Sequence, residues 1–259
     1  MGTRATAASS TAELARLIGA ADRVVALTGA GISVPSGIPD FRSPGTGLWE
    51  RVDPMEVAHI DAFQRDPKRF WSFYAQRFDS LAHKQPNAAH RALAAMEAAG
   101  LLQAVITQNV DELHRKAGTR ELVEVHGSIA GCVCLRCGAS VSREQARSRM
   151  AADADGVPRC EACEAPLKPQ VVLFGEMLPE RALLRAQQLC ERADVLLCIG
   201  SSLEVYPVAA LPELTLAGGG TVAIITKGPT SFDGVAGVRL DGDVEAEMER
   251  LLGALGVTA

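Results

Sequence analysis

Five short apolar runs punctuate the chain, at residues 24–27, 104–106, 171–174, 195–199 and 222–225. Each is continuous rather than alternating, the pattern of strands covered on both faces in a parallel sheet. Helical patterns lie between them. Ser10 and Glu13 form a capping box ahead of Leu14, Leu17 and Ile18, Asn87 is placed to cap a helix carrying Leu93 and Met96, and Val244, Met248 and Leu251 make a late apolar stripe. Strands alternating with helices predict an α/β fold with a doubly wound, Rossmann-like parallel sheet. The runs end in Thr28 and Gly29, in Thr107, Gln108 and Asn109, in Gly175 and Glu176, in Gly200, Ser201 and Ser202, and in Thr226. Carboxyl ends of this kind line the ligand crevice of an open parallel sheet, so the polar chemistry is expected there.

Two stretches break the alternation. Residues 45–100 are rich in helix formers and 131–168 hold five of the cysteines, so both read as insertions that build a smaller domain of a helical part and a metal ribbon beside the sheet. The sheet domain is then assembled from residues 11–44, 101–130 and 169–259, behind a disordered tail at 1–10. Met1 and Gly2 with Thr6 fit a myristoylation pattern, but that pattern is short, and a solvated tail is the simpler reading.

Composition narrows the classes. Lys and Arg number 26 against 31 Asp and Glu, a net charge of -5, and no basic run stands out, which argues against a nucleic-acid partner. No apolar stretch approaches the roughly 18–20 residues that span a bilayer, and the start lacks a secretory h-region. A cytoplasmic protein with no membrane partner is the expectation.

Of the 7 cysteines, four form two CxxC pairs, Cys134 with Cys137 and Cys160 with Cys163. Two residues between ligands let a tight turn present both sulfurs to one ion, and four thiolates close a tetrahedron, so one structural zinc with no open position is expected. Disulfides or a redox CxxC fit a reducing compartment less well. Cys132 is too near Cys134 to replace it in a tight-turn pair, and Cys190 and Cys198 lie in apolar surroundings that suit a core.

The loop Gly29, Ala30, Gly31, Ile32, Ser33 follows the first strand, where glycines can bring backbone amides to a pyrophosphate at a helix start. Val34 occupies the third glycine position of the dinucleotide fingerprint, and no acidic residue closes a second strand about 20 residues on, which disfavours a hydride-transferring dehydrogenase. A plain tight turn explains the pentapeptide equally well.

GAGIS at 29–33, GIPDFR at 37–42, TQNVD at 107–111 with Leu113 and His114, an isolated His126-Gly127, the two CxxC pairs, VVLFGE at 171–176 and GSSLEVYP at 200–207 follow one another in this order. In that order the chain resembles the sirtuins, NAD-dependent protein-lysine deacylases, over residues 24–252, and bacterial and archaeal members above all. The resemblance implies a sheet domain that binds NAD, a small zinc domain, and an acyl-lysine protein or peptide entering between them. It implies cofactor contacts from Gly29, Ala30, Gly31, Ser33, Val34, Phe41, Arg42, Gly200, Ser201 and Ser202, with Gln108 at a ribose and Asn109, Val110 and Asp111 around the nicotinamide. It also implies His126 as general base, and nicotinamide, O-acyl-ADP-ribose and free lysine as products. Thr226 stands where the family usually carries an Asn that meets the adenosine ribose, and Asp243 and Val244 match positions near the adenine.

A neutral imidazole has a pKa suited to a base near pH 7, and Gly127 keeps the surroundings of His126 open. His59, His83 and His90 lie in mostly polar helical stretches that suit solvated rings, and His114 falls on a short helix. Asp111 also reads as a helix N-cap and Asn109 as a turn former. The resemblance implies two edges that sandwich an extended substrate, Val172 to Gly175 and Leu203 to Val205, with Val172 and Phe174 walling the lysine tunnel; core packing is the plainer reading of these apolar residues. Glu176 reads equally well as a solvated loop charge.

Tyr74 and Arg77, three apart on one helical face, match the Tyr and Arg of sirtuins that accept succinyl- or malonyl-lysine, with Ala58 as the small residue opposite. An Arg fork can hold the distal carboxylate, while a surface charge explains Arg77 as well. Two alternatives stand beside the deacylase reading: protein mono-ADP-ribosyl transfer from the same cleavage, and a non-catalytic NAD sensor or zinc interaction module. The sequence leaves oligomeric state, acyl preference and cellular substrates open.

Overall fold

The computed structural model describes residues 7–41, 45, 47, 50 and 52–258. α1 (Ala7–Ala20) leads into β1 (Val24–Thr28), and a 3-10 turn (Ala30–Ser36) follows. α2 (Pro54–Val57), α3 (Ile60–Arg65), α4 (Pro67–Ala82) and α5 (Ala88–Ala98) precede β2 (Ala104–Thr107), α6 (Leu113–Lys116) and β3 (Leu122–Glu124). β4 (Gly127–Cys134), β5 (Ser140–Ser142), α7 (Arg143–Ala152) and β6 (Leu167–Val171) come next. α8 (Glu180–Arg192), β7 (Val195–Ile199), α9 (Leu211–Ala217), β8 (Thr221–Ile225), β9 (Val238–Leu240) and α10 (Val244–Leu255) complete the chain.

Six strands form one sheet in the order β3-β2-β1-β7-β8-β9, and every pairing in it is parallel. The strand order reverses between β1 and β7, the doubly wound arrangement that the runs predicted. β1, β2 and β7 are buried along their whole length, which is why they read as unbroken apolar runs. On one face Leu14, Ile18, Leu93, Met96, Leu197, Met248 and Leu251 form the core; on the other Leu27, Ile106, Leu189, Leu196 and Ile224 do. Cys190 and Cys198 are buried in that second cluster, and Asn87 caps α5 as expected.

Four expectations are corrected. α1 begins at Ala7, so residues 7–10 of the expected tail are helical and Ser10 lies inside the helix, while Glu13 pairs with Arg16 at 2.6 Å instead of closing a capping box. Alanines favour helix and extend it upstream of the cap signal. Residues 171–174 form no strand of the parallel sheet: β6 ends at Val171 and pairs antiparallel with β4 in a second sheet, ordered β5-β4-β6. Continuous burial occurs in either sheet, so the run could not distinguish them. α5 packs with α1 and α10 on the large sheet, so the helical insertion ends before it rather than at residue 100. The edge strands β3 and β9, three residues each, left no apolar run long enough to read.

A third cluster joins α2 to α4 with the small sheet, through Phe63, Phe70, Trp71, Tyr74, Phe78, Leu167 and Leu173. Trp71 Nε1 donates to the Leu167 carbonyl at 2.9 Å and ties the two insertions together.

Candidate functional site

The carboxyl ends of β1 and β7 meet where the strand order reverses. Gly29 N–H donates to the Ile199 carbonyl at 3.0 Å and Gly31 N–H to the Gly200 carbonyl at 2.8 Å. A Cβ on Gly31 would lie 2.8 Å from Gly200, and one on Gly200, whose φ is +61, would lie 2.2 Å from the Ile32 nitrogen. These glycines therefore let two loops touch, a role distinct from the phosphate-cradling one their spacing suggests.

Under this contact lies a buried polar triangle. Ser33 Oγ donates to Asp111 Oδ2 at 2.7 Å, and Asn109 Nδ2 donates to Ser33 Oγ and to the Gly29 carbonyl, both at 3.1 Å. Asp111 Oδ1 also accepts the Leu113 N–H at 2.9 Å, so its helix-capping and site roles coexist. Burial pushes the Asp111 carboxyl up, against the hydrogen bonds from Ser33 and Leu113. Gln108 Nε2, just beyond β2, donates to Ser201 Oγ at 3.0 Å and joins the loop after β2 to the loop after β7.

His126 follows β3, with its neighbour Val125 bonded to the Thr107 carbonyl. Its Nδ1 lies 3.0 Å from the Gln108 carbonyl, which accepts only a proton-bearing nitrogen, so Nδ1 carries the hydrogen and Nε2 is the bare acceptor. Burial lowers the pKa of the ring from its ordinary 6.5, and the Gln108 carbonyl partly opposes that. A neutral ring with a free Nε2 is the form a general base needs.

The remaining residues sort by surroundings. Ala30 and Phe41 are half-buried, Val34 is 45% exposed, and Val110 packs partly buried against the small-domain cluster. Arg42 lies outside the described residues. Ser202 donates to Glu204, and Thr226 is 7% exposed beyond β8. Asp243 caps α10 and pairs with Lys227 at 3.3 Å, while the Val244 side chain is packed into the sheet core.

At the edges expected to take substrate, Val172 N–H donates to the His126 carbonyl at 2.8 Å, which fixes this segment to the candidate base. Phe174 is half exposed and exchanges backbone hydrogen bonds with Ala58 and Ile60, and Gly175 turns at φ +84 over His59. Opposite, Leu203 is buried with its N–H on Ser201 Oγ and its carbonyl accepting from Ser231 Oγ, so pairing there is left to its neighbours through Val205. Tyr74 is buried in a ring stack with Phe70 and Phe78, its hydroxyl pushed up to about 12 by burial. Arg77, lowered by burial, faces a cavity of 420 Å³ shared with Gly37, Ile38, Phe73, Gln76 and Lys84; no acidic side chain lines it, and among the described residues Arg77 has no ion-pair partner.

Sequence reasoning missed two histidines. His90 is fully buried, not solvated, and its ring stacks 4.8 Å from that of His114. His90 Nε2 is 3.5 Å from Ser33 Oγ, and His114 Nε2 is 2.9 Å from Thr28 Oγ1, which donates to Thr107 Oγ1. The pair backs the polar triangle. The position of His90, third residue after the cap Asn87, was the available signal, since its Nδ1 closes that capping box.

The four candidate thiolates converge. Their sulfurs lie within 4.8 Å of one another, with Cys134 to Cys163 at 3.4 Å and Cys137 to Cys160 at 3.6 Å, and no disulfide joins them. Tetrahedral zinc at about 2.3 Å from each sulfur separates the sulfurs by about 3.8 Å, so the set fits that ion. Backbone amides of Cys137 and Arg136 lower the Cys134 thiol, while the hydrogen bonds among the sulfurs raise Cys137 and Cys163, as thiols sharing one site do. Cys132 stays in the core, pushed up to about 12 by burial. Among the described residues no helix is long and apolar enough to cross a membrane.

The chain is 40% identical over 240 residues to an NAD-dependent protein deacylase of Pyrococcus abyssi, covering 93% of this chain and 96% of that one. It is 39% identical over 234 residues to an NAD-dependent protein deacetylase of Thermotoga maritima, covering 90% and 94%. Among solved structures it superposes on a Sir2 in complex with a p53 peptide and NAD+ at a TM-score of 0.87 and 38% identity, over 94% of this chain and 98% of that one. A Sir2 bound to an acetylated peptide gives 0.87 and 36%, over 95% and 98%. Since the Sir2 family model also matches residues 29–207, which hold the glycine contact, the polar triangle, His126 and all four thiolates, the chain belongs to the Sir2 family.

Proposed function

We propose that this chain is a cytoplasmic NAD-dependent protein-lysine deacylase that removes acetyl and, through Arg77, acidic acyl groups. The observation that carries the reading is the tautomer of His126: Nδ1 is spent on the Gln108 carbonyl, leaving Nε2 to take a proton at the carboxyl end of β3. NAD, when bound, supplies the anomeric carbon on which the acyl oxygen displaces nicotinamide. Ser33, Asn109 and Asp111 present a fixed set of donors and acceptors for the carboxamide, already hydrogen-bonded to one another and so costing little to order. His126 Nε2 accepts the proton of a ribose hydroxyl. Cys134, Cys137, Cys160 and Cys163 hold zinc away from the reaction, where it orders the small sheet.

The acidic-acyl reading rests on the unpaired, partly buried Arg77 in a cavity whose other charge is Lys84. An unpaired guanidinium out of bulk water gains from a carboxylate partner. The test is nicotinamide release from one peptide carried as acetyl-, succinyl- and malonyl-lysine. Release from at least one peptide that falls more than about a hundredfold in His126→Ala supports the deacylase. A roughly tenfold or greater loss in Arg77→Met confined to the acidic peptides supports the carboxylate site. Equal loss on all three peptides makes Arg77 structural, and labelled protein in place of O-acyl-ADP-ribose points to ADP-ribosyl transfer.

A further inference from the structure

Lys168 is the least expected charge in the molecule. Its side chain is 5% exposed, on β6 within the small-domain core. An ammonium has three donors, and all three are spent: on the Val171 carbonyl at 2.6 Å, the Pro169 carbonyl at 3.1 Å and Glu176 Oε2 at 2.9 Å. Glu176 in turn accepts the Leu173 N–H at 2.8 Å on the same oxygen and returns its own N–H to the Leu173 carbonyl at 3.1 Å. The segment between them is thus wound around one buried ion pair.

That segment is the substrate edge. It is fastened outward at Val172 to the His126 carbonyl and at Phe174 to Ala58 and Ile60, while Gly175 rests on His59 so closely that a Cβ there would lie 2.7 Å from its ring. The ion pair stands at the root of a strip that touches the candidate base at one end and α3 at the other. Breaking it strands a charge out of water, a cost the loop can relieve only by opening and letting water in. The groups displaced first are those of Leu173 and Gly175 next to Glu176, while the hydrogen bonds of the Ser33, Asn109 and Asp111 triangle involve none of this strip.

We propose that Lys168, through Glu176, is a positioning residue that holds the peptide-binding edge in register for an extended acyl-lysine peptide. This rests on the deacylase reading. It separates two effects that a merely structural salt bridge would move together: peptide affinity depends on the pair, cofactor affinity does not.

The experiment measures KM for an acetyl-lysine peptide and for NAD, kcat, and direct peptide binding by fluorescence anisotropy. It compares wild type with Lys168→Met, Lys168→Arg and Glu176→Gln, with zinc content and Tm as controls. The expected result is a rise of about tenfold or more in peptide KM and Kd for Lys168→Met, with kcat and the KM for NAD within about twofold, and near wild-type values for Lys168→Arg. If Lys168→Met does not fold, Glu176→Gln carries the same comparison, because its amide still accepts from Leu173 while the lysine loses its counter-charge. Unchanged peptide KM, or parallel rises in both KM values, overturns the proposal. A wild type that turns over no acyl peptide overturns the deacylase reading and this inference with it, a result distinguishable by the wild-type arm alone.

Discussion

His126 shows how one hydrogen bond assigns a role. The Gln108 carbonyl fixes the proton on Nδ1, and burial keeps the ring neutral below its ordinary range. The base is active when unprotonated, so kcat/KM is expected to hold across neutral pH and to fall on an acidic limb lying below 6.5. A pH profile of nicotinamide release checks it, and a limb at or above 6.5 would contradict the burial argument. Gly200 works by having no side chain. Gly200→Ala drives a Cβ into Ile32 at a positive φ, so the first loop must retreat, and a rise of about tenfold or more in the KM for NAD is expected with little change in the peptide KM. At this scale the sequence was legible for the thiolates, whose CxxC spacing brings Cys134, Cys137, Cys160 and Cys163 together, and the motifs that carry Asn109 and Asp111 do meet beside Ser33. It was illegible where burial sets the role: the capping position of His90 gives no sign that His114 packs on it, and nothing along the chain around Glu176 points to Lys168.

Among the elements, the zinc ribbon is a short three-stranded sheet held by four thiolates at one end and by the third apolar cluster at the other, so the ion carries part of its order. It also touches the site: Arg143 at the start of α7 pairs with Glu112, which holds a left-handed φ of 64 directly after Asp111. Cys160→Ser, or chelation of the native protein, is expected to lower Tm by several degrees and raise the KM for NAD while most far-UV circular dichroism survives, because the parallel sheet has its own two-faced core. Loss of all secondary structure together would show the two parts to be one cooperative unit. Helix and strand identity was readable from periodicity for β1, β2, β7, β8, α5 and α10. The destination of residues 171–174 was not, since an apolar run records burial but not which partner strand provides it.

For the whole molecule, the His90 and His114 pair couples folding to pH. Burial lowers these rings to about 4 and about 3, whereas in the unfolded chain both take up protons near 6.5. Between those values the unfolded state binds more protons, so stability rises with pH and is lost as pH falls from 6.5 toward 4. The loss is expected to be on the order of a few kcal/mol, with Asp111, raised by burial, acting in the opposite sense at the low end. Urea midpoints across this range check it, and His90→Gln should flatten the slope; a midpoint independent of pH would refute it. The same pair marks the boundary between what the chain encodes locally and what folding adds. Local sequence alone determined the alternating α/β order, the polar strand ends and the thiolate set, because periodicity, turn chemistry and ligand spacing act over a few residues, while the candidate residues for the reaction were read from the order of motifs along the chain. Only the tertiary structure decided that glycines 29, 31 and 200 serve loop contact, that two histidines back the polar triangle and that Lys168 is clasped by Glu176 and main-chain carbonyls. Those facts depend on desolvation and on contacts between segments far apart in the chain, and both arise only when the layers close.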